Sequence, residues 1–178
     1  MKAKKKILAI CGSTRPNSTN LNLIKAIADL AADKFEVTVF TGIDTIPHFN
    51  PELDSDKAPE VVMNFREKIK QADGVLICTP EYAMGVPGTL KNAIDWTVSS
   101  GEFSHKPTTL ITASSQGYKG HASLLETLKI IEANITEHTQ LVISYAKTKI
   151  NHQCIITDEN TLREVKLVTD ELHKLINT

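Results

Sequence analysis

Short apolar runs alternate along this chain with longer stretches in which apolar residues recur at every third or fourth position. That change of period separates strands from helices. Ile7, Leu8, Ala9 and Ile10 form a compact apolar run, and residues 74–79, Gly-Val-Leu-Ile-Cys-Thr, form another. Runs of this kind suit central parallel strands covered on both faces. Residues 109–113 repeat the pattern, residues 35–40 alternate apolar with polar as a strand nearer the sheet edge would, and residues 140–143 begin a fifth strand. Between them lie helical stripes: Leu21, Ile24, Ile27, Ala28 and Ala31 behind a cap at Asn20; Val61, Val62, Phe65 and Ile69 over residues 60–72; Leu124, Leu125, Leu128 and Ile131 over residues 121–133; and Leu162, Val165, Val168, Leu172 and Ile176 over residues 161–176. A further helix runs through Leu90, Ala93, Ile94 and Trp96, with Pro87 in its first turn.

Strand and helix alternate from end to end without a repeat or a linker. The expectation is one domain over residues 1–178, an α/β fold built on a doubly wound five-stranded parallel sheet. Right-handed crossovers bring the loops after the first, third and fourth strands to one carboxyl edge, where ligands of such sheets bind. Those three loops are also the richest in Gly, Pro, Ser and Asn. The long segment 42–59, with three prolines, is a loop whose residues 46–51 either reach toward that edge or lie on the surface.

The first of these loops reads Gly12-Ser13-Thr14-Arg15-Pro16-Asn17-Ser18-Thr19-Asn20 and leads directly into a helix. Hydroxyls, one guanidinium and the free N–H groups of a helix start make an anion site, best matched to a terminal phosphate. An ordinary polar loop without a ligand remains the alternative on this stretch alone. No second glycine follows Gly12 before Gly42 and no lysine lies in the loop, so neither a Walker site nor a dinucleotide fingerprint is present.

Charge and cysteine content narrow the function classes. With 20 basic and 21 acidic residues the net charge is -1, which gives no global field toward nucleic acid or an anionic membrane. No apolar run approaches a membrane span and no signal-peptide core follows Met1, so the expected compartment is the cytoplasm. Three widely spaced cysteines and six histidines show no metal-ligand spacing. Cys11 and Cys78 end neighbouring predicted strands, either as core packing or as a redox pair.

Two passages together resemble the NAD(P)H-dependent FMN reductase family. They are Gly12 to Asn20, like the pattern G-S-x-R-x-x-S-x-N, and Thr79-Pro80-Glu81-Tyr82 continuing through Val86-Pro87-Gly88-Thr89-Leu90-Lys91-Asn92-Ala93-Ile94-Asp95-Trp96. The resemblance extends over nearly the whole chain and implies a flavodoxin-like fold of strand order 2-1-3-4-5. It implies FMN as cofactor and NADPH or NADH as cosubstrate. Ser13, Arg15, Ser18, Thr19 and Asn20 would hold the phosphate, Pro80, Glu81, Tyr82, Ala83, Met84 and Gly85 would line the isoalloxazine, and Ser114, Gln116 and Gly117 would border its other edge. In such enzymes a hydride passes from nicotinamide to flavin and then to a small acceptor such as a flavin or quinone, with no catalytic side chain required. Homodimers, or dimers of dimers, are the family's usual assembly. Two departures stand out: Ala83 and Gly85 occupy positions where the family often has Asn and Ser, and the third loop is less glycine-rich than usual, with Lys119 where a small residue is common. A flavodoxin-type electron carrier is the alternative, though carriers are commonly strongly acidic. A signalling receiver of the same fold would need clustered carboxylates where Cys11, Gly12 and Ser13 stand.

Overall fold

A computed structural model describes residues 3–55 and 57–178. Strands β1 (Lys5–Cys11), β2 (Phe35–Val39), β3 (Gly74–Thr79), β4 (Thr108–Ala113) and β5 (Gln140–Ile143) form one sheet of order β2-β1-β3-β4-β5. All four pairings are parallel, as the intervening helices require. The helices are α1 (Thr19–Leu30), α2 (Glu60–Gln71), α3 (Gly88–Asp95), α4 (Tyr118–Ile130), the single turn α5 (Ala146–Lys149) and α6 (Glu159–Ile176).

The two-residue period of the strands sorts the core into two layers. Leu8, Ile10, Val75, Ile77 and Leu110 face α2, α3 and α4, where Phe65, Trp96 and Leu128 are fully buried. Ile7, Ala9, Leu76, Cys78 and Ile111 face α1 and α6. Both faces are therefore covered, which is why the central strands read as unbroken apolar runs. Every residue of β3 and β4 is buried, whereas β2 alternates and β5 is mostly half-buried.

Several boundaries differ from the pattern reading, each for a local reason. Ser18, not Asn20, caps α1: its hydroxyl accepts from the Asn20 amide at 3.2 Å, and Asn20 lies inside the first turn. Pro87 precedes α3 in an extended conformation instead of occupying its first turn. The fourth helix begins at Tyr118, because Gly117 at φ 103 turns the chain immediately before it. Asp158 caps α6 through the Thr161 amide at 2.9 Å, which starts that helix at Glu159.

The segment after β2 is tied to α3 and sends Ile43 and Ile46 into the core. It holds two short 3-10 turns, Ile43–Thr45 and Pro51–Leu53. Asn92 Nδ2 donates to the Pro47 carbonyl at 2.9 Å, Asn92 Oδ1 accepts from the Phe49 amide at 2.7 Å, and the Trp96 indole N–H donates to Pro47 at 2.8 Å. Further along, Asp54 accepts from Arg66 and from Ser99, each at 2.5 Å. Burial raises the Asp54 carboxyl, but the Ser99 hydroxyl and the Arg66 guanidinium outweigh it and leave it below its ordinary value.

Candidate functional site

The carboxyl ends of β1, β3, β4 and β5 open into one cavity of ≈ 450 Å³. Its wall holds Ser13, Arg15, Ser18, Thr19 and Asn20 from the β1 side, Pro80, Glu81 and Tyr82 after β3, Ala113, Ser114 and Ser115 after β4, and Tyr145 to Thr148 after β5.

On the β1 side the chain turns at Gly12, where a Cβ would lie 2.4 Å from the Thr79 hydroxyl and 2.8 Å from its Cβ. Only glycine lets β1 end this close to β3. The loop then places Ser13 and Ser18 in buried positions and Arg15 in an exposed one. Asn20 is 3% exposed; its Nδ2 donates to the Ala113 carbonyl at 3.0 Å, which ties the start of α1 to the end of β4. Its Oδ1 finds no partner among the described residues. A buried acceptor without a donor costs roughly 1–3 kcal/mol, so the position is suited to a ligand hydroxyl.

The β3 side is built differently. Glu81 directs its carboxylate at the α4 N-terminus, accepting from the Gly120 amide at 2.7 Å. Its own amide donates to the Ser114 hydroxyl at 3.2 Å, so the loops after β3 and β4 are clasped together. Tyr82 and Gly85 exchange two backbone hydrogen bonds of 3.0 and 2.9 Å around a two-residue turn. The turn residues Ala83 and Met84 have φ of 49° and 63°, a conformation natural to Asn and Gly. For Ala and Met it costs on the order of 1 kcal/mol each. Gly120 packs so closely on this turn that a Cβ would sit 2.6 Å from the Gly85 carbonyl oxygen.

Of the residues expected from the sequence, Ser13, Arg15, Ser18, Thr19, Asn20, Pro80, Glu81, Tyr82 and Ser114 meet in the cavity wall. Ala83, Met84 and Gly85 form the turn beyond Tyr82, with Met84 75% exposed. Gln116 and Gly117 lie past the wall; the Gln116 carbonyl accepts from Ser144 at 2.8 Å, and Gly117 opens α4. The β5 segment, Tyr145 to Thr148, was not foreseen. It contains no Gly or Pro to mark a turn, although the carboxyl end of every strand in a parallel sheet reaches this edge.

Cys11 and Cys78 stand opposite each other in the β1–β3 register as buried, free thiols. Burial pushes the Cys11 thiol up against the lowering hydrogen bonds from Ser13 and Ser18, and burial together with neighbouring Cys11 pushes Cys78 well up. Both are protonated thiols at neutral pH and pack as small apolar groups.

The sequence profile described as NADPH-dependent FMN reductase matches residues 5–148. A 2-hydroxy-1,4-benzoquinone reductase of a Burkholderia species is 32% identical over 173 residues, 93% of each chain. A quinone reductase of Escherichia coli K12 is 32% identical over 170 residues, 91% of this chain and 90% of that one. Among solved structures, a flavoenzyme NAD(P)H:(acceptor) oxidoreductase from Paracoccus denitrificans superposes with TM-score 0.84 at 27% identity, covering 97% of both chains.

Proposed function

The chain belongs to the NADPH-dependent FMN reductase family, as an oxidoreductase of FMN and NAD(P)H, and on that premise we propose that its four-walled cavity seats the FMN and admits a small quinone or flavin acceptor. One observation carries the reading: three hydroxyls, a guanidinium, the open start of α1 and an unpartnered buried acceptor line a single cavity.

The donor set fits the cofactor. Ser13, Ser18 and Thr19 with Arg15 suit a phosphate monoester, which offers acceptors only, while Asn20 Oδ1 suits a donating hydroxyl of the ribityl chain. When bound, FMN supplies the chemistry, taking a hydride from nicotinamide and delivering reducing equivalents to the acceptor. The protein's part is to bind and orient. Pro80 and the backbone of Glu81 and Tyr82 form a wall for a planar ring. Glu81 holds α4 through Gly120 and moves no proton. Tyr82 and Tyr145, 49% and 68% exposed, offer aromatic surface at the rim, where a second planar molecule can stack.

The quinone acceptor is supported by the Burkholderia and Escherichia coli relatives. A cytoplasmic setting is supported by three free cysteines. A homodimer is supported by exposed Leu53, Met63 and Val98, which flank the Asp54, Arg66 and Ser99 cluster in sequence or by one helical turn. Light scattering on a Val98→Glu variant tests that assembly.

The functional test is anaerobic absorbance of FMN-loaded protein. NADPH is expected to bleach the flavin bands promptly, and a benzoquinone to restore them. Bands that persist with NADPH would favour the electron-carrier alternative.

A further inference from the structure

We propose that Lys147 is a positioning residue for the phosphate of the bound flavin, completing from the β5 side the anion subsite that the β1 loop begins. The inference rests on the FMN reading above.

After β5 the chain folds back over the cleft and is fixed at both ends. At the near end the Tyr145 and Ala146 amides donate to the Ser115 and Ser114 carbonyls at 3.1 and 3.0 Å, and the Ser144 hydroxyl donates to Gln116 at 2.8 Å. At the far end Asn22, in the first turn of α1, donates from Nδ2 to the Asn151 carbonyl at 3.1 Å. The segment thus bridges the β4 loop and the start of α1. Lys147 and Thr148 lie on that bridge and line the cavity that Ser13, Ser18 and Thr19 line from the other side.

Charge balance identifies what the bridge faces. A phosphate monoester carries about -1.5 to -2 near neutral pH. Arg15 supplies one positive charge, and Lys147 is the other cation of the wall. Among the described residues neither forms an ion pair with a carboxylate. Glu81, the one carboxylate among the lining residues, is engaged by the Gly120 amide. Two unpaired cations match a dianion; Arg15 alone leaves it under-neutralised. The ammonium sits on a flexible four-carbon stem and acts as an adjustable point charge, whereas Arg15 supplies a fixed fork.

The test compares FMN with riboflavin, which differ only by the phosphate, in fluorescence titrations of flavin-free protein. Lys147→Met is expected to raise the FMN Kd about tenfold and leave the riboflavin Kd unchanged. Lys147→Arg, which retains the charge, is expected to restore most of the FMN affinity. Because Lys147 is exposed, the Met variant should melt at the wild-type temperature without flavin. Equal change for both flavins, or no change for either, overturns the proposal. So does wild-type FMN affinity combined with a raised KM for NADPH but not NADH, which would assign Lys147 to the 2′-phosphate of the dinucleotide. A wild-type protein that binds neither flavin overturns the FMN reading itself and this proposal with it, an outcome distinct from the others because it appears before any substitution is made.

Discussion

The loops after β1 and β3 stand side by side at one edge of the sheet and use their polar groups in opposite ways. After β1, Ser13, Ser18 and Arg15 bring hydroxyls and a cation to the cavity wall, and Asn20 Oδ1 is left buried without a partner among the described residues. After β3, Glu81 is bonded to Gly120 and Ser114, and the turn that follows closes on itself between Tyr82 and Gly85. The first loop, on the reading proposed above, meets a ligand's charge. The second is a shaped wall whose polar capacity serves the protein, with backbone strain at Ala83 and Met84. A flavin ring needs flat surface against its faces and hydrogen bonds only along one edge, whereas a phosphate needs charge and donors all round.

Substitutions can break or sharpen this contrast. The largest effect is expected from Gly120→Ala, because the new methyl would meet the Gly85 carbonyl oxygen at 2.6 Å and its carbon at 3.1 Å, both backbone atoms. Overpacking of this kind costs about 1–3 kcal/mol. Urea unfolding should register it, with FMN binding weakened through the displaced turn. Ser18→Ala comes next: loss of the cap should destabilise the apoprotein by about 1 kcal/mol. It should also weaken FMN more than riboflavin, since the hydroxyl belongs to the charged half of the cavity. If Ser18→Ala weakens both flavins equally, the division of labour between the two loops is wrong.

Replacing Ala83 with Asn should act in the other direction. Asn tolerates positive φ, so relief of strain at φ 49° should stabilise the protein by a few tenths of a kcal/mol to about 1 kcal/mol, read as a higher Tm. No gain would mean that the surrounding contacts, not residue type, hold the turn.

The smallest effect at neutral pH concerns His121, which is 8% exposed on α4. Its Nδ1 lies 2.9 Å from the Thr112 hydroxyl and its Nε2 3.2 Å from Gln140 Oε1. Burial lowers its pKa below the ordinary 6.5, and the Gln140 contact only partly offsets this. A depressed histidine favours the neutral form in the folded state. Its contribution is present above the unfolded value and is lost as pH falls below it toward the folded value. Stability measured across that window should therefore fall more steeply in the wild type than in His121→Gln. Equal slopes would remove pH sensitivity from the β4 and α4 side of the cleft.

Much of the fold is legible in the pattern of the chain. The strand and helix order followed from the change between two- and three-to-four-residue periods, and the parallel sheet followed from their alternation. The β1 loop was legible because its polar groups are contiguous. Boundaries were less so: whether Ser18 or Asn20 caps α1 depends on one backbone turn, and both residue types are good caps. Asn92 and Trp96 lie in the passage that carries the family resemblance, but their amide and indole hold the Pro47 and Phe49 backbone.

By itself the sequence determined element order, the two-faced burial of the central strands and the hydroxyl-rich, cationic make-up of the first loop. These depend on neighbours within a few residues, or on a periodicity that any helix or strand imposes. Only the tertiary structure decided that Glu81 is engaged by an amide 39 residues away, and that Tyr145 to Thr148 share a wall with Ser18. Such juxtapositions arise when helices of different length and tilt pack onto a twisted sheet, and no local pattern of side chains encodes the distances that result.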